Sequence, residues 1–206
     1  MSTLFKADSV HSKGMKNAIS LQLQSQQMVV LFGESGTGKS VLFKALADLV
    51  DHQGTIQLNG QSQMSTCPEN WRQQVMYFSA ETAWWRETAE EHFETLPTED
   101  ELQQIGLSLK HLTQPINALS SGEKQRLALL RGLVYKPTIL LLDEITANLD
   151  KVSTLKVESL VKAYCQTQSA AMIWISHDEA QTKRLAEPEN RWNIDDLYRK
   201  TEVFSV

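Results

Sequence analysis

The sequence has few cysteines, no long apolar run and no excess of basic residues. Its two cysteines, Cys67 and Cys165, lie far apart and fit neither a metal-ligand spacing nor a disulfide framework, which predicts a reducing compartment. The longest apolar runs, such as Ile139–Leu142, are far shorter than the roughly 20 residues of a membrane-spanning helix. The first residues, MSTLFKADSVHSKG, contain no apolar signal-peptide core. We therefore expect a protein that is neither secreted nor embedded in a membrane.

The charge is slightly acidic and unevenly distributed. The chain has 20 basic and 25 acidic residues, a formal net charge of −5, which argues against a nucleic-acid partner held by a broad basic surface. Between Glu81 and Glu101, eight acidic residues accompany Arg86 alone, a net charge of −7. The rest of the chain, with 19 basic and 17 acidic residues, is then at +2. Such an acidic run is most often a solvated helix face, and the alternative is a contact surface for a basic partner.

Three short apolar runs predict strands that are buried on both faces. Met28–Phe32, Ile139–Leu142 and Met172–Ile175 are each bounded by turn formers and followed by a helical pattern. This alternation is typical of a parallel sheet with crossover helices. The length of 206 residues and the apolar fraction of 41% are those of one globular domain.

Two other segments have different patterns. Near the N-terminus, Thr3–Ala7, Ile19–Leu23 and Thr55–Leu58 alternate weakly and Asn59-Gly60 is a turn signal, which predicts a small antiparallel sheet. From about residue 82 to 114 the composition predicts a helical insertion. Its candidate packing residues are Trp84, Trp85, Phe93, Leu96, Leu102, Ile105 and Leu109. The two tryptophans either pack inside this insertion or anchor an interface.

The strongest chemical signal is the octapeptide GESGTGKS, which lies between the first apolar run and a helical pattern. Glycines let such a loop wrap so that backbone N–H groups point at phosphate oxygens, next to the positive end of a helix. Lys39 is predicted to bridge β- and γ-phosphates, and the Ser40 hydroxyl to ligate Mg²⁺. A glycine-rich turn that binds no nucleotide is the alternative. The predicted phosphate-binding residues are Gly33, Glu34, Ser35, Gly36, Thr37, Gly38, Lys39 and Ser40.

Two further motifs place polar groups at the ends of predicted elements. The run ILLLDE ends in Asp143, a candidate Mg²⁺ ligand through water, and Glu144, a candidate base for the water that attacks the γ-phosphate. Taken alone, such an acidic pair most often starts a helix. In LSSGEKQR, Ser120 is a helix N-cap and Glu123 completes a capping box. The same serine and its neighbouring amides can also bind an external phosphate.

In order and spacing, these motifs resemble those of the ATP-binding subunits of ABC transporters, from about Leu4 to Asp178. GESGTGKS resembles the Walker A loop, ILLLDE the Walker B strand and LSSGEKQR the LSGGQ signature. Ala147–Asp150 resembles the loop after Walker B, and His177 the switch histidine. The stretches RQQVMYFSAETAWW and LSSGEKQRLALLRGLVYKPTILLLDEITANLD are similar to short stand-alone ATPases of the iron-export type.

The resemblance implies an α/β fold: a P-loop NTPase core of the ABC ATPase type, with an N-terminal antiparallel β subdomain and a helical subdomain at about 82–135. Residues 1–206 would form a single ABC-type ATP-binding domain. It implies an ATPase that uses Mg²⁺ and dimerises head to tail with a second copy of itself. It would power a separate membrane permease from the cytoplasmic face of the cell membrane.

The resemblance also implies a role for each motif. Glu144 and His177 would be catalytic, with His177 holding Glu144, the water and the γ-phosphate in register. Asp143 and Ser40 would be the metal ligands, and Asp150 would contact the opposite subunit. The signature residues, which would complete the γ-phosphate site in trans, are Ser120, Ser121, Gly122 and Glu123. If the acidic run is a contact surface rather than a solvated helix face, its partner would be a basic cytoplasmic loop of the permease.

Three positions depart from the family pattern. Ser121 stands where glycine is usual. Ala80, followed by Glu81, stands where the family has a glutamine that relays the nucleotide state to the membrane subunit. The aromatic residue that normally stacks on adenine is absent, and His11 either takes its place or faces solvent.

Three rival functions remain at this level. One is a soluble ABC-type ATPase acting on ribosomes or DNA, although such proteins usually carry two domains or a long coiled coil. Another is a degenerate subunit that binds ATP and hydrolyses it poorly, which Ala80 keeps open. The third is a small-molecule kinase, against which Glu144 argues because a kinase needs no water-activating base.

Overall fold

The computed structural model describes residues 3–203, with side chains to residue 200, so residues 1–2 and 204–206 of the predicted domain lie outside the described residues. The strands are β1 Thr3–His11, β2 Ile19–Gln24, β3 Met28–Phe32, β4 Gln53–Leu58, β5 Gln61–Ser62, β6 Val75–Ser79, β7 Ile139–Asp143, β8 Ala171–Ile175 and β9 Arg191–Asn193. The helices are α1 Lys39–Leu46, α2 Pro68–Gln74, α3 Glu99–Gln104, α4 Lys110–Thr113, α5 Ser121–Leu133, α6 Lys151–Thr167, α7 Glu179–Leu185 and α8 Ile194–Val203.

The central sheet is parallel, as the apolar runs predict. Its strand order in the described chain is β6-β7-β8-β3-β9. Every residue of β7 and β8 is buried, because helices cover both faces of the sheet. Since parallel strands end at the same edge, the carboxyl ends of β3, β7 and β8 bring the chain after Phe32, Asp143 and Ile175 to one side of the molecule.

The predicted N-terminal antiparallel sheet is confirmed and is longer than expected. Its order within residues 3–203 is β2-β1-β4-β5. Between β4 and β5, Asn59 and Gly60 have φ angles of 52° and 77°. Positive φ at both central residues is the conformation of the type I′ hairpin turn, which asparagine followed by glycine adopts at low cost.

Three apolar clusters hold the described chain together. The first joins the antiparallel sheet to one face of the parallel sheet through α1, and its buried members include Phe5, Phe43 and Trp71. The second covers the opposite face of the parallel sheet with α5 and α6. The third lies within residues 89–119 and the adjoining part of α5, and its buried members are Ala89, Leu102, Ile105, Leu107, Leu112, Leu119, Leu127 and Leu130.

The segment from about residue 82 to 114 differs from the helical insertion that its composition predicts. Before residue 99 it has only a 3₁₀ turn at Glu90–His92, and α3 and α4 are short. The prediction that Trp85, Leu96 and Leu109 are packing residues is wrong, since 69%, 53% and 50% of their respective surfaces are exposed. Leu102 and Ile105 are buried as predicted. Trp85, Ala89, Phe93 and Leu96 do recur at helical spacing, yet only the 3₁₀ turn forms there, so the tertiary context overrides the local pattern.

Candidate nucleotide site

The glycine-rich loop connects β3 to α1 and is shaped by left-handed backbone at two glycines. Gly36 and Gly38 have φ angles of 77° and 93°. A Cβ atom at Gly38 would lie 2.9 Å from Tyr198 Oη and 3.0 Å from the Gly14 carbonyl oxygen, so a side chain there would displace both. A Cβ at Gly36 would meet open space, so this part of the loop faces outward from the protein.

The Lys39 side chain folds back over the loop. Its Nζ donates hydrogen bonds to the carbonyl oxygens of Gly33 at 2.9 Å and Glu34 at 2.8 Å. Burial lowers the pKa of Lys39, while the carboxylates of Glu144 and Asp143 act in the opposite direction. An ammonium group has three donors, so one remains for an incoming anion. The neighbouring Ser40 is exposed at the start of α1.

The C-terminal helix α8 supports this loop, a contact that sequence reasoning missed. Tyr198 Oη donates to the Thr37 carbonyl oxygen at 2.7 Å and accepts from the Lys16 backbone N–H at 3.3 Å. Lys16 also forms a 2.9 Å ion pair with Asp195. The apolar spacing of Ile194, Leu197 and Tyr198 is a helix signal, but nothing in the spacing indicates that the helix lies against the loop.

At the carboxyl ends of β7 and β8, the structure brings Glu144 and His177 together. His177 Nε2 lies 3.1 Å from Glu144 Oε1, and the two side chains are 47% and 41% exposed. A carboxylate only accepts hydrogen bonds, so in this contact the imidazole is the partner that can donate. Glu144 has a φ angle of 52°, a left-handed conformation that is strained for a residue with a side chain and is typical of functional positions.

Asp143 lies next to Glu144 and is only 7% exposed. Its Oδ2 accepts a 2.8 Å hydrogen bond from the Tyr77 hydroxyl on β6. The side chains of Asp143, Glu144 and His177 therefore lie on the same edge of the sheet as the glycine-rich loop. Sequence reasoning did not identify Tyr77, because it lies inside a strand rather than in a loop motif.

A buried polar network connects the two loops that carry Glu144 and His177. Ser176 donates to Gln181 Oε1 at 2.6 Å, and the Gln181 amide donates to Thr146 Oγ1 at 2.9 Å and to Glu158 Oε1 at 3.1 Å. Arg184 closes the network with two hydrogen bonds to the Glu158 carboxylate. Since Gln181 is only 3% exposed and fully bonded, it holds the chain before His177 and the chain after Glu144 at a fixed spacing.

The LSSGEKQR segment forms the N-terminus of α5, where the predicted capping box is present. Ser120 Oγ accepts from the Glu123 N–H, and the Glu123 carboxylate accepts from the Ser120 N–H and hydroxyl. These N–H and hydroxyl donors lower the pKa of Glu123. Ser121 is exposed, and Gly122 lies against Leu149. Among the described side chains, no hydrogen bond or ion pair joins residues 120–123 to residues 33–40.

Asp150 has a role within its own chain. Its Oδ1 accepts hydrogen bonds from the backbone N–H groups of Val152 and Ser153, both at 2.9 Å, and Oδ2 accepts from the Ser153 hydroxyl at 2.7 Å. Asp150 is thus the N-cap of α6. The Ser153 hydroxyl and the backbone donors lower the pKa of this exposed carboxyl.

Comparison with known proteins places these motifs in a family. The family model described as "ABC transporter" matches residues 16–147, which is more than half of the chain. The chain belongs to the ABC transporter family. It is an ATP-binding subunit of an ABC transporter, and it is an ATPase.

Curated relatives of this ABC ATPase carry several cargo names. "Probable iron export ATP-binding protein FetA" of Escherichia coli K12 is 33% identical over 79% of this chain and 78% of the relative. "Phosphate import ATP-binding protein PstB" of Aeropyrum pernix is 30% identical, over 86% and 80%. "Aliphatic sulfonates import ATP-binding protein SsuB 2" of Mesorhizobium japonicum is 32% identical, over 83% and 68%.

Among solved structures, cbiO1 from Clostridium perfringens, part of the ABC transporter complex cbiONQ, has a similar fold. The TM-score is 0.69 at 20% identity, and the match covers 86% of this chain and 80% of cbiO1. This similarity confirms the predicted mixed α/β architecture. Residues 3–203 of the ABC ATPase contain no helix that is both long enough and apolar enough to cross a bilayer.

The position of the absent family glutamine lies between the ATPase site and α5. Ala80 follows β6, and the Gln125 amide on α5 donates to the Ser79 carbonyl oxygen at 2.9 Å. Ala80, Ser121 and Glu144 line one cavity of about 350 Å³. The next residue, Glu81, is exposed.

Beside this loop, an aromatic cluster forms one wall of a groove. The Arg131 guanidinium lies 4.5 Å from the ring centroid of Trp84 and 5.3 Å from that of Trp85. His92 Nε2 accepts hydrogen bonds from the backbone N–H groups of Trp85 and Arg86. The groove measures about 360 Å³, and Phe78, Glu81, Trp85, Arg131 and Tyr135 are among its lining residues.

The base-stacking alternatives for His11 stay open. His11 is the last residue of β1, is half-buried and pairs with Gln53 of β4. The adjacent Ser12 is buried and donates to the Asp51 carbonyl oxygen at 2.7 Å. Neither contact involves the glycine-rich loop.

Proposed function

We propose that Glu144 is the general base of ATP hydrolysis and that His177 positions it. The observation that carries this proposal is the 3.1 Å contact between His177 Nε2 and Glu144 Oε1 at the edge of the sheet that also presents Lys39. Glu144 accepts a proton from the attacking water, and His177 keeps the carboxylate, the water and the γ-phosphate in register. General-base assistance of this kind contributes about 10²–10⁴-fold to a rate.

The ATP phosphates bind in the loop from Gly33 to Ser40. The backbone N–H groups of Glu34, Ser35, Gly36 and Thr37 and the N-terminus of α1 face the phosphates, and Lys39 exchanges its loop carbonyls for β- and γ-phosphate oxygens. The outward-facing backbone at Gly36 supports this role, because bulk there would close the approach to the loop.

Ser40 and Asp143 would hold Mg²⁺. Both offer the hard oxygen ligands that this ion prefers, and Ser40 is exposed at the loop. No three His, Cys, Asp or Glu side chains of the described residues are grouped as a metal site, which suits an ion that takes most of its ligands from phosphates and water. When bound, Mg²⁺ neutralises charge on the β- and γ-phosphates.

A second copy of the chain completes each ATP site. Ser120, Ser121, Gly122 and Glu123 act in trans on the γ-phosphate, and Asp150 lies at the dimer interface. The lack of any bond between the signature and the phosphate loop of the described chain supports this arrangement, because each copy then holds two separate half-sites. Ser120 must release its hydroxyl hydrogen from Glu123 before it can donate to a phosphate.

The whole chain, residues 1–206, is a single ABC-type ATP-binding domain with a helical subdomain at about 82–135. The separate apolar cluster around Leu102, Ile105 and Leu127 supports such a subdomain. The ATPase works peripherally at the cytoplasmic face of the membrane. There its partner is a membrane permease, and nucleic acid has no part in the mechanism.

The permease docks in the groove beside Trp85. Trp85 is 69% exposed, and exposed tryptophans are typical anchors of protein interfaces. Two exposed carboxylates lie at the groove: Glu81 lines it, and the Glu94 carboxylate raises the pKa of Tyr135 on its wall, an effect second to that of burial. A basic cytoplasmic segment of the permease therefore matches the net charge of −7 between Glu81 and Glu101.

Reversing the charge of two residues in the acidic run should weaken the complex with the permease. In Glu90→Lys/Glu94→Lys, we expect about 10-fold less membrane partner to co-purify in gentle detergent at low salt, with the difference shrinking at roughly 0.5 M salt because screening becomes strong. Glu91 is left unchanged because it accepts the Thr88 N–H and stabilises the turn. The matched control is Glu187→Lys/Glu189→Lys, which reverses two exposed carboxylates outside the acidic run; of the tested pair, Glu90 is half-buried and Glu94 is exposed.

Two results would contradict this docking surface. Equal recovery of the permease with both double variants would mean that the acidic run is only a solvated surface and does not contact the permease. Recovery of ribosomes or DNA instead of a membrane protein would favour an ABC ATPase that is not tied to transport.

Restoring the family glutamine should strengthen coupling. Ala80→Gln places an amide in the cavity that Glu144 lines, so we expect the stimulation of ATPase activity by the reconstituted permease to rise by about fivefold or more. The control is Ala163→Gln at an exposed position of α6. An unchanged ratio of coupled to basal activity would mean that another residue relays the nucleotide state.

A further inference from the structure

Tyr77 makes a contact that the proposed mechanism does not use. It lies on β6 opposite Leu141 of β7, two residues before Asp143 in the register of the parallel pair. Because side chains alternate along a strand, Leu141 and Asp143 project from the same face as Tyr77. The Tyr77 hydroxyl reaches Asp143 Oδ2 across 2.8 Å.

This hydrogen bond differentiates the two oxygens of the Asp143 carboxylate. Oδ2 is occupied by Tyr77, whereas Oδ1 accepts no hydrogen bond from any side chain or backbone group of the described residues. A tyrosine hydroxyl carries one hydrogen to donate, and a carboxylate can only accept. Tyr77 therefore remains a donor to this carboxylate.

The strand that carries Tyr77 is itself anchored. Two residues further on, the Ser79 carbonyl oxygen accepts the Gln125 amide of α5, and Gln125 is only 8% exposed. Ala80, at the position of the family glutamine, has no side-chain oxygen to offer to a metal. Asp143 and Ser40 are then the protein groups left to hold the ion, which makes the orientation of Asp143 more important than in a site with a third ligand.

We propose that Tyr77 is a positioning residue for the metal site, holding Asp143 Oδ2 so that Oδ1 stays available for the coordination sphere of Mg²⁺–ATP. The inference rests on the assignment of Asp143 as a metal ligand under the proposed function. Groups that orient a metal ligand typically change metal affinity or activity by 10–100-fold when they are removed, although they never touch the ion.

The test is Tyr77→Phe, which removes one hydroxyl and keeps the ring. Binding of a fluorescent ATP analogue is titrated with Mg²⁺ and, separately, measured in EDTA. We expect the Mg²⁺ concentration for half-maximal enhancement of binding to rise by about 10-fold, with affinity in EDTA unchanged. In an Asp143→Asn background, Tyr77→Phe should add nothing further, because the oxygen it orients is already altered.

The matched control is Tyr164→Phe. The Tyr164 hydroxyl also donates at 2.8 Å, to the Pro137 carbonyl oxygen near the opposite end of β7. If Tyr77→Phe lowers the melting temperature as Tyr164→Phe does and leaves the Mg²⁺ midpoint unchanged, Tyr77 is only structural and the proposal is overturned. A wild-type protein whose ATP binding ignores Mg²⁺ would instead overturn the metal-site assignment, and this inference with it.

Discussion

Replacing Glu144 by glutamine should lower kcat for ATP hydrolysis by about 10²–10⁴-fold and change ATP affinity by less than about threefold. The amide has the size of the carboxylate and can still contact His177, but it cannot take a proton from water. The two half-exposed side chains tolerate the change without a buried unpaired charge, so the protein should fold normally. Phosphate release and equilibrium nucleotide binding measure the two effects separately.

The same variant tests the dimer. If ATP is bound between two copies and hydrolysis normally separates them, Glu144→Gln should accumulate as an ATP-bound dimer. Size-exclusion chromatography with light scattering, with and without Mg²⁺–ATP, measures this. A monomer at saturating ATP would contradict the completion of the site in trans.

The control for Glu144→Gln is Glu179→Gln. Glu179 is an exposed carboxylate at the start of α7, two residues after His177, and its nearest partner is Lys183 at 3.7 Å. Its neutralisation should leave hydrolysis unchanged. Full activity in Glu144→Gln would refute the assignment of the base, and a wild-type protein with very low turnover would point to the degenerate subunit that Ala80 keeps open.

Replacing Lys39 by alanine should raise the Kd for ATP by about 100-fold or more. Two charge-assisted hydrogen bonds to phosphate oxygens contribute about 1.5–3 kcal/mol each, and every 1.4 kcal/mol is about 10-fold in affinity. The ammonium already lies over the loop, where it contacts the carbonyl oxygens of Gly33 and Glu34, so the side chain loses little conformational entropy when it binds the phosphates. Isothermal calorimetry or fluorescence titration with ATP measures the change.

Lys44→Ala is the matched control for Lys39→Ala. Lys44 lies on the same helix α1, carries the same charge and is exposed, so its removal leaves the loop intact. Comparable weakening in both variants would mean that only the overall charge near the site matters. Retention of wild-type affinity in Lys39→Ala would overturn the phosphate-loop assignment.

The sequence predicts the fold wherever the local signal is strong. Runs such as Met28–Phe32 are apolar throughout because both faces of the sheet are covered, and Asn59-Gly60 adopts the backbone conformation of a tight hairpin with little strain. Between residues 82 and 98 the local pattern favours a helix that the structure does not form. There the prediction of packed Trp85 and Leu96 is wrong, because their burial depends on partners that composition does not specify.

For the proposed site, the linear motifs predicted Lys39, Glu144 and His177, since loops after strands carry their chemistry in consecutive residues. The capping box of Ser120 and Glu123 was also predictable, because it depends on residues three positions apart. Motif order alone does not predict the contact between Glu144 and His177. The two residues meet because β7 and β8, which they follow, are neighbours in the sheet.

Apolar periodicity was sufficient to predict a parallel sheet, and the glycine-rich loop, together with the resemblance to ABC ATPases, predicted a P-loop ATPase. Tertiary folding was needed to bring Tyr77 to Asp143 and Tyr198 to Thr37. It also placed Gln181 between the two loops that carry Glu144 and His177. The physical reason is distance along the chain: Tyr77 and Asp143 are separated by 66 positions, and Tyr198 and Thr37 by 161. No local propensity encodes such pairs, which arise only when strand register and helix packing set the side chains face to face.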